Sequence, residues 1–160
     1  MFLELVKFRR PYSIAISSSG IIACLIRPTT SKLVLIPPSG KNILSMNINT
    51  IGLKGAQCIA INHKNEIIVL DHINSTLFWF DQNLKFISSL RLPGKKYGTM
   101  KFCKQTNQIY ISVLDQLKVI TVDSDISIEF STFFSYSNVD SISSIDGLVL
   151  LERNKLLIID

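Results

Sequence analysis

Two histidines and three cysteines are the side chains in this sequence of 160 residues that most readily bind a metal ion or act as nucleophiles. His63 falls in a predicted tight turn and His72 in a predicted loop beside Asp71, and no further ligands are spaced for a metal ion. We therefore predict histidines that are solvated in loops, no metal site and no cofactor.

The cysteines are odd in number, and their spacing is not that of a metal site. They are Cys24, Cys58 and Cys103. Each lies in or beside an apolar segment, which indicates a small buried side chain. A reactive thiol is the alternative, but no adjacent histidine supports it.

Four aspartates each follow a predicted strand: Asp71, Asp81, Asp123 and Asp160. A carboxylate in that place accepts hydrogen bonds from backbone N–H groups two residues further on, and so fixes the turn. We predict this structural role for the four aspartates in preference to a role in binding.

The elements that position these residues repeat along the chain. Ile59-Ala60-Ile61 follows Ile14-Ala15-Ile16 by 45 residues, and each is followed by a turn and a second apolar segment. Further copies surround residues 109–113 and 148–151. The segments are short and rich in β-branched residues, and the turns contain Asn, Asp, Ser and Gly. The pattern predicts an all-β fold, a β-propeller of about four four-stranded antiparallel blades in one domain over residues 1–160.

The fourth copy ends with its third predicted strand, and residues 2–8 supply a spare strand before the first copy. If residues 2–8 pair with the fourth blade, two unpaired edges disappear and the ring closes. The alternative is a partial propeller, either a fragment of a larger ring or a half-ring that forms a homodimer.

If the strands run as predicted, one face collects two sets of loops: those between successive blades and those between second and third strands. The binding residues that we predict on this face are Arg9, Arg10, Tyr12, Arg27, His72, Arg91, Lys95, Lys96, Tyr97 and Arg153. Basic clusters contact phosphates, and the two tyrosines beside basic pairs could stack on unpaired bases. A solvated loop surface is the alternative, because acidic residues near the same face dilute its charge: Asp71, Asp115, Asp140 and Glu152.

The second copy resembles an NHL repeat. The resemblance rests on Ile59-Ala60-Ile61 before a turn, on residues 67–71 after it, and on Phe78-Trp79-Phe80-Asp81. The usual turn glycine is present at Gly20 and Gly147, whereas Glu66 is in its place in the second copy. The resemblance implies a β-propeller that serves as a binding scaffold. Some NHL domains bind RNA, others bind proteins, and some related propellers are hydrolases.

Propeller hydrolases similar to lactonases hold a divalent cation with carboxylates and Asn that converge on a central channel. The predicted inner strands at 14–16, 59–61, 100–102 and 141–143 are nearly free of such ligands. We therefore expect no enzymatic activity, with a degenerate hydrolase as a remote alternative.

The composition is that of a globular protein, with 47% hydrophobic and 18% charged residues. The net charge of +5 and a pI near 9.2 are compatible with phosphate-rich partners. No apolar run approaches the ~18 residues of a membrane span, and Ser17-Ser18-Ser19-Gly20 interrupts the first apolar stretch where a signal peptide would be continuous. We expect no membrane association and a cytoplasmic location, with the nucleus as the alternative.

Together these observations predict a non-catalytic interaction scaffold. The expected partner is a protein, contacted through the loops at 9–12, 27–31, 71–75 and 91–97. Single-stranded RNA bound to the basic face is the alternative.

Overall fold

The structure of the chain is a computed structural model, and it describes residues 11–26, 31–94, 97–104, 106–113, 116–122, 128–135, 147–151 and 155–159. The chain divides into two compact units, Met1–Arg91 and Leu92–Asp160, which are treated separately below. The single domain over residues 1–160 stays a prediction.

The first unit contains two four-stranded antiparallel sheets, each with its strands in chain order. The first sheet consists of β1 (Pro11–Ile16), β2 (Ile22–Ile26), β3 (Lys32–Ile36) and β4 (Leu44–Asn47). A short 3-10 helix, Ile48–Ile51, leads to the second sheet. The second sheet consists of β5 (Ala56–Ile61), β6 (Ile67–Asp71), β7 (Thr76–Phe80) and β8 (Phe86–Arg91).

The second unit contains a third four-stranded antiparallel sheet and a two-stranded sheet. The four-stranded sheet consists of β9 (Tyr97–Cys103), β10 (Gln108–Val113), β11 (Gln116–Val122) and β12 (Ile128–Ser135). The two-stranded sheet pairs β13 (Gly147–Leu151) with β14 (Lys155–Ile159). Among the described residues, no helix is long and apolar enough to cross a membrane.

The prediction of an all-β fold built from four-stranded antiparallel units is confirmed. The strands of the first unit form where the β-branched segments predict them, and β6 is buried at all five of its positions. The predicted N-terminal strand 2–8 and the predicted inner strand 141–143 lie outside the described residues, and closure of the ring therefore stays a prediction.

The core of the first unit lies between its two sheets. Strand alternation directs Leu33 and Leu35 from β3 and Ile67 and Val69 from β6 into one buried cluster. Phe78 and Phe80 of β7 contact the same cluster, whereas Trp79 between them is opposite Ile68 and buried on the other face. The three consecutive aromatic residues of β7 therefore alternate between the two faces of the sheet.

Three hairpins of the first unit, at 17–21, 62–66 and 81–85, share one five-residue geometry. In each, the N–H of the first residue donates to the carbonyl oxygen of the fifth, at 2.9, 3.1 and 2.9 Å. The N–H of the fourth residue donates back to the carbonyl oxygen of the first. The side-chain oxygen of the first residue accepts the N–H of the fifth, and these first residues are Ser17, Asn62 and Asp81. The predicted turn-fixing role of Asp81 is thus confirmed.

The fourth residue of each of these hairpins has a left-handed backbone, with φ of 83°, 60° and 63° at Gly20, Asn65 and Leu84. This is the three-residue type of loop in which one residue must adopt positive φ. The position that corresponds to Gly20 is therefore Asn65, and the equivalence with Glu66 was wrong by one residue. Asn tolerates the left-handed region better than most residues do.

Asn65 provides a local test of this geometry. We expect Asn65→Ala to unfold more easily than Asn65→Gly by about 1 kcal/mol, because a Cβ disfavours positive φ. Both variants lose the hydrogen bond that the Asn65 Oδ1 accepts from Ser19 at 3.0 Å, so Gly is the matched control. Urea unfolding followed by fluorescence of Trp79, the one tryptophan in the chain, measures the difference. An Ala variant as stable as the Gly variant would contradict the loop geometry.

Candidate functional site

The first unit has two different ends. The β1–β2, β3–β4, β5–β6 and β7–β8 turns lie at one end, which we call the hairpin end, and Ser19 in one of these turns donates to Asn65 in another at 3.0 Å. The opposite end, which we call the loop rim, comprises Ser31, the loops at 48–55 and 71–75, the start of β1 and the end of β8. One loop from each of the two predicted sets, 48–55 and 71–75, therefore lies at this end, whereas residues 27–30 lie outside the described residues.

A single buried carboxylate holds two loops of the rim together. Asp71, the last residue of β6, is fully buried. Its Oδ1 accepts the backbone N–H groups of Gly55, Ile73 and Asn74 at 3.0, 3.0 and 3.1 Å. Its Oδ2 accepts the Lys54 N–H and the Asn74 amide at 2.8 Å each. The structural role predicted for Asp71 is confirmed, and it extends beyond the local turn to a segment 16–17 residues earlier in the chain.

The connection between the two sheets is fixed on both sides. Asn47 caps the 3-10 helix by accepting the N–H of Asn49 at 3.1 Å, and the N–H of Ile48 donates to Ser31 at 3.0 Å. Gly52 ends the helix at a left-handed φ of 87°. Its carbonyl oxygen accepts the Asn74 amide at 3.2 Å. The loops at 31, 48–55 and 71–75 therefore form one hydrogen-bonded surface.

His72 and Ile73 lie directly on the backbone of Gly55. The N–H of His72 donates to the Gly55 carbonyl oxygen at 3.0 Å, and the His72 Nδ1 is 2.7 Å from the same oxygen. A Cβ at Gly55 would be 2.8 Å from the His72 Nδ1 and 2.5 Å from the Ile73 Cγ1. Only glycine allows this approach, and His72 is half-buried against the rim instead of being a freely solvated loop histidine.

Substitution of Gly55 tests this packing. We expect Gly55→Ala to lower the free energy of unfolding by about 1–3 kcal/mol, because the new methyl group displaces the His72 ring from its backbone partner. In a His72→Ala background, the same substitution is expected to cost less, since the ring that blocks the methyl group is gone. Urea unfolding of the four proteins measures this coupling. Equal costs in both backgrounds would show that the ring contact does not constrain Gly55.

Four of the ten predicted binding residues lie within the described residues. Tyr12 is 52% exposed, Arg91 is exposed at the end of β8, and His72 is half-buried; all three belong to the loop rim. The six others lie outside the described residues: Arg9, Arg10, Arg27, Lys95, Lys96 and Arg153.

The prediction that Tyr97 offers an exposed ring needs correction. Tyr97 is 3% exposed, because it is the first residue of β9 and points to the buried side of the strand. Its hydroxyl donates to the Pro93 carbonyl oxygen, and burial raises the pKa of the phenol above its usual value. Tyr97 therefore cannot act as a stacking platform on the surface.

The rim also exposes side chains that are not among the ten predicted binding residues. Ile73 is 58% exposed although its own N–H and that of Asn74 donate to the buried Asp71. Lys32 begins β3 and is exposed, as is Lys54.

Gln57 is the extra residue of a β-bulge in β5, and within the described residues its Oε1 is buried without a hydrogen-bond partner. Tyr12 occupies the corresponding bulge of β1, and bulges of this kind re-aim side chains at sheet edges. The exposure of Lys32 could have been predicted from the alternation of side chains along β3. The two bulges could not, because they depend on the register in which the strands pair.

The described residues contain no group of three or more His, Cys, Asp or Glu side chains that could hold a metal ion. Cys24 and Cys103 are buried and Cys58 is partly buried. Burial raises the pKa of the Cys24 thiol, which favours the less nucleophilic protonated form. The groups that the loop rim exposes offer apolar contact, positive charge and backbone hydrogen bonding.

No protein-family model matches the sequence, and no curated protein matches it. The structure does match solved structures. Virginiamycin B lyase from Staphylococcus aureus matches with a TM-score of 0.65 at 16% identity, over 93% of this chain and 48% of that chain. YCF48 bound to D1 peptide matches with a TM-score of 0.66 at 8% identity, over 92% and 47%. A protein of unknown function from Bacteroides caccae matches with a TM-score of 0.65 at 15% identity, over 92% and 55%.

These neighbours are β-propeller-like proteins, and at such low identity they establish the fold alone. The chain has a β-propeller-type fold, and it spans about half the length of the chains that it matches. One neighbour is a lyase and another was solved with a peptide, so that the fold by itself does not assign a function.

Proposed function

We propose that this chain is a non-catalytic interaction module of NHL-like repeats that binds a protein segment through the loop rim of its first unit. The observation that carries the proposal is the exposure of Ile73 on a set of loops that the Asp71 carboxylate and the Asn74 amide hold in place. Binding sites are commonly loops positioned by a rigid scaffold.

The ordered backbone of the rim lowers the free-energy cost of binding a partner. Association costs free energy when it immobilises loops and side chains, and a surface that is already ordered avoids part of that cost. Here, five hydrogen bonds to Asp71 and two contacts of His72 with Gly55 fix the backbone under the exposed groups.

The exposed side chains are also suited to a protein partner. Ile73 and Tyr12 supply large apolar surface, and both are more than half exposed. Energetically important residues of protein interfaces are typically apolar or aromatic anchors surrounded by polar groups. YCF48, a structural neighbour solved with a bound peptide, supports a peptide-binding use of this type of fold.

Single-stranded RNA is the weaker alternative. Lys32, Lys54 and Arg91 could contact phosphates, but sequence-tolerant binding of single strands also relies on aromatic stacking. Tyr97 is buried, which removes one of the two tyrosines expected to stack.

Selection from a random library of displayed peptides tests the proposal. We expect peptides selected on the wild-type chain to bind Ile73→Ser at least roughly fivefold more weakly, the effect of about 1 kcal/mol that a contributing apolar side chain has at an interface. Ile87→Ser is the matched control, because Ile87 is also a half-exposed isoleucine of the first unit but lies in β8 next to the hairpin end.

The two substitutions remove the same surface chemistry at opposite ends of the unit. The selected peptides should bind the Ile87→Ser variant with wild-type affinity, and both variants should melt at the same temperature. A library that yields no enriched peptide, or peptides that bind both variants equally, would overturn a protein-binding rim.

A further inference from the structure

The charges of this protein are divided unevenly along the chain. Residues 1–91, which form the first unit, contain ten Lys and Arg residues but four Asp and Glu residues. Residues 92–160 contain seven basic and eight acidic residues. The positive charge of the protein is therefore concentrated in the unit that carries the loop rim.

The acidic side chains of the first unit are kept away from the exposed surface of the rim. Asp71 is fully buried, and five hydrogen bonds occupy its two oxygens. Glu66 and Asp81 both belong to hairpins at the hairpin end. The fourth acidic residue, Glu4, lies outside the described residues.

The exposed charged side chains described on the rim are all positive. Lys32 begins β3, Lys54 precedes the buried Gly55, and Arg91 ends β8. The same rim also exposes Ile73 and Tyr12. By contrast, the hairpin end mixes both signs, with Lys41, Lys64 and Lys85 beside Glu66 and Asp81.

From this distribution we infer that the segment bound at the rim is acidic and carries at least one bulky apolar side chain. The inference rests on the protein-binding function proposed above. Complementary charge would steer the segment to the rim and exclude basic competitors, while the apolar contact with Ile73 or Tyr12 would hold it there.

The phosphates of a nucleic acid would pair with the positive side chains of the rim, but its bases would make little favourable contact with the apolar side chains. Ile73 has no planar face on which a base can stack, and Tyr12 is the exposed tyrosine described on the rim. An acidic peptide uses both features, because it can place carboxylates against Lys54 or Arg91 and an apolar side chain against Ile73.

Fluorescence anisotropy with four probes of about twelve units tests the inference: a Glu-rich peptide containing Leu and Phe, the same peptide with Gln for every Glu, the same peptide with Lys for every Glu, and oligouridylate. We expect the Glu peptide to bind and the Gln peptide to bind on the order of tenfold more weakly, with the Lys peptide weaker still. Binding of the Glu peptide should weaken as salt rises, since exposed charges are screened.

Two triple variants separate local charge from net charge. K32E/K54E/R91E should lower the affinity for the Glu peptide on the order of tenfold or more. K41E/K64E/K85E changes the net charge equally but at the hairpin end, and it should alter the affinity by less than about threefold. Urea unfolding of both variants confirms that they are folded.

The inference fails if the Gln peptide binds as tightly as the Glu peptide, if both triple variants lose affinity equally, or if the Glu peptide does not bind. Oligouridylate binding that exceeds binding of the Glu peptide would assign the rim to nucleic acid instead. Selection of Ile73-dependent peptides without acidic residues would overturn the acidic partner while leaving the proposed protein-binding function intact.

Discussion

Asp71→Ala is expected to lower the free energy of unfolding of the first unit by about 3–5 kcal/mol, because the substitution leaves several buried or half-buried donors without an acceptor. The donors belong to two loops, at 54–55 and 73–74, which lie just beyond the paired ends of β5 and β6. The urea midpoint followed by Trp79 fluorescence measures the loss.

Asp81→Ala is the matched control for this prediction. Asp81 also follows a strand and also accepts two backbone N–H groups, those of Asn83 and Lys85 at 2.8 Å each. These bonds are exposed, and water replaces the lost acceptor, so that we expect a loss of only about 1 kcal/mol. If Asp71→Ala costs no more than Asp81→Ala, the carboxylate does not hold the rim together.

Asp71→Asn separates hydrogen bonding from charge. The amide keeps one acceptor oxygen, but its NH2 group faces donors that the second carboxylate oxygen accepts in the wild type. We expect an intermediate loss of stability. A folded Asp71→Asn variant should also bind selected peptides more weakly, because the loops beneath Ile73 are then less ordered.

Phe80→Ala is expected to cost about 3–5 kcal/mol, the usual loss when a fully buried aromatic side chain is truncated. Phe80 is fully buried between the two sheets of the first unit, and its ring meets that of Phe86 edge-on at 6.2 Å. The cavity would be surrounded by strands of both sheets, which cannot move together without breaking their ladders.

Phe86 provides the comparison for Phe80. It contacts Phe80 and Phe78 but is 47% exposed, so that Phe86→Ala should cost about 1 kcal/mol. A Phe80→Ala variant that unfolds at nearly the same urea concentration as Phe86→Ala would show that the two sheets do not share a close-packed core.

The strands, their alternation and the turn-fixing roles of Asp71 and Asp81 could be predicted because they depend on neighbours in sequence, whereas Asp123 and Asp160 lie outside the described residues. In β5 and β6, the β-branched residues and the Asn62 turn specify a hairpin locally, and Asp81 binds N–H groups within four residues. Even there, the residue that takes the left-handed backbone was assigned to Glu66 instead of Asn65, since a repeat alignment does not determine φ.

The candidate site depended on contacts that sequence spacing does not reveal. Asp71 joins residues 16–17 positions away, and the antiparallel pairing of β5 with β6, in which Ala56 is opposite Asp71, brings those loops within hydrogen-bond distance. The burial of Tyr97, beside two lysines in sequence, follows from the side of β9 on which it lies. The sequence by itself determined an all-β repeat architecture and an excess of positive charge, because composition and period are local properties. The tertiary structure alone decided that Asp71 and Tyr97 are buried and that Ile73 is exposed, because burial depends on how distant segments of the chain pack.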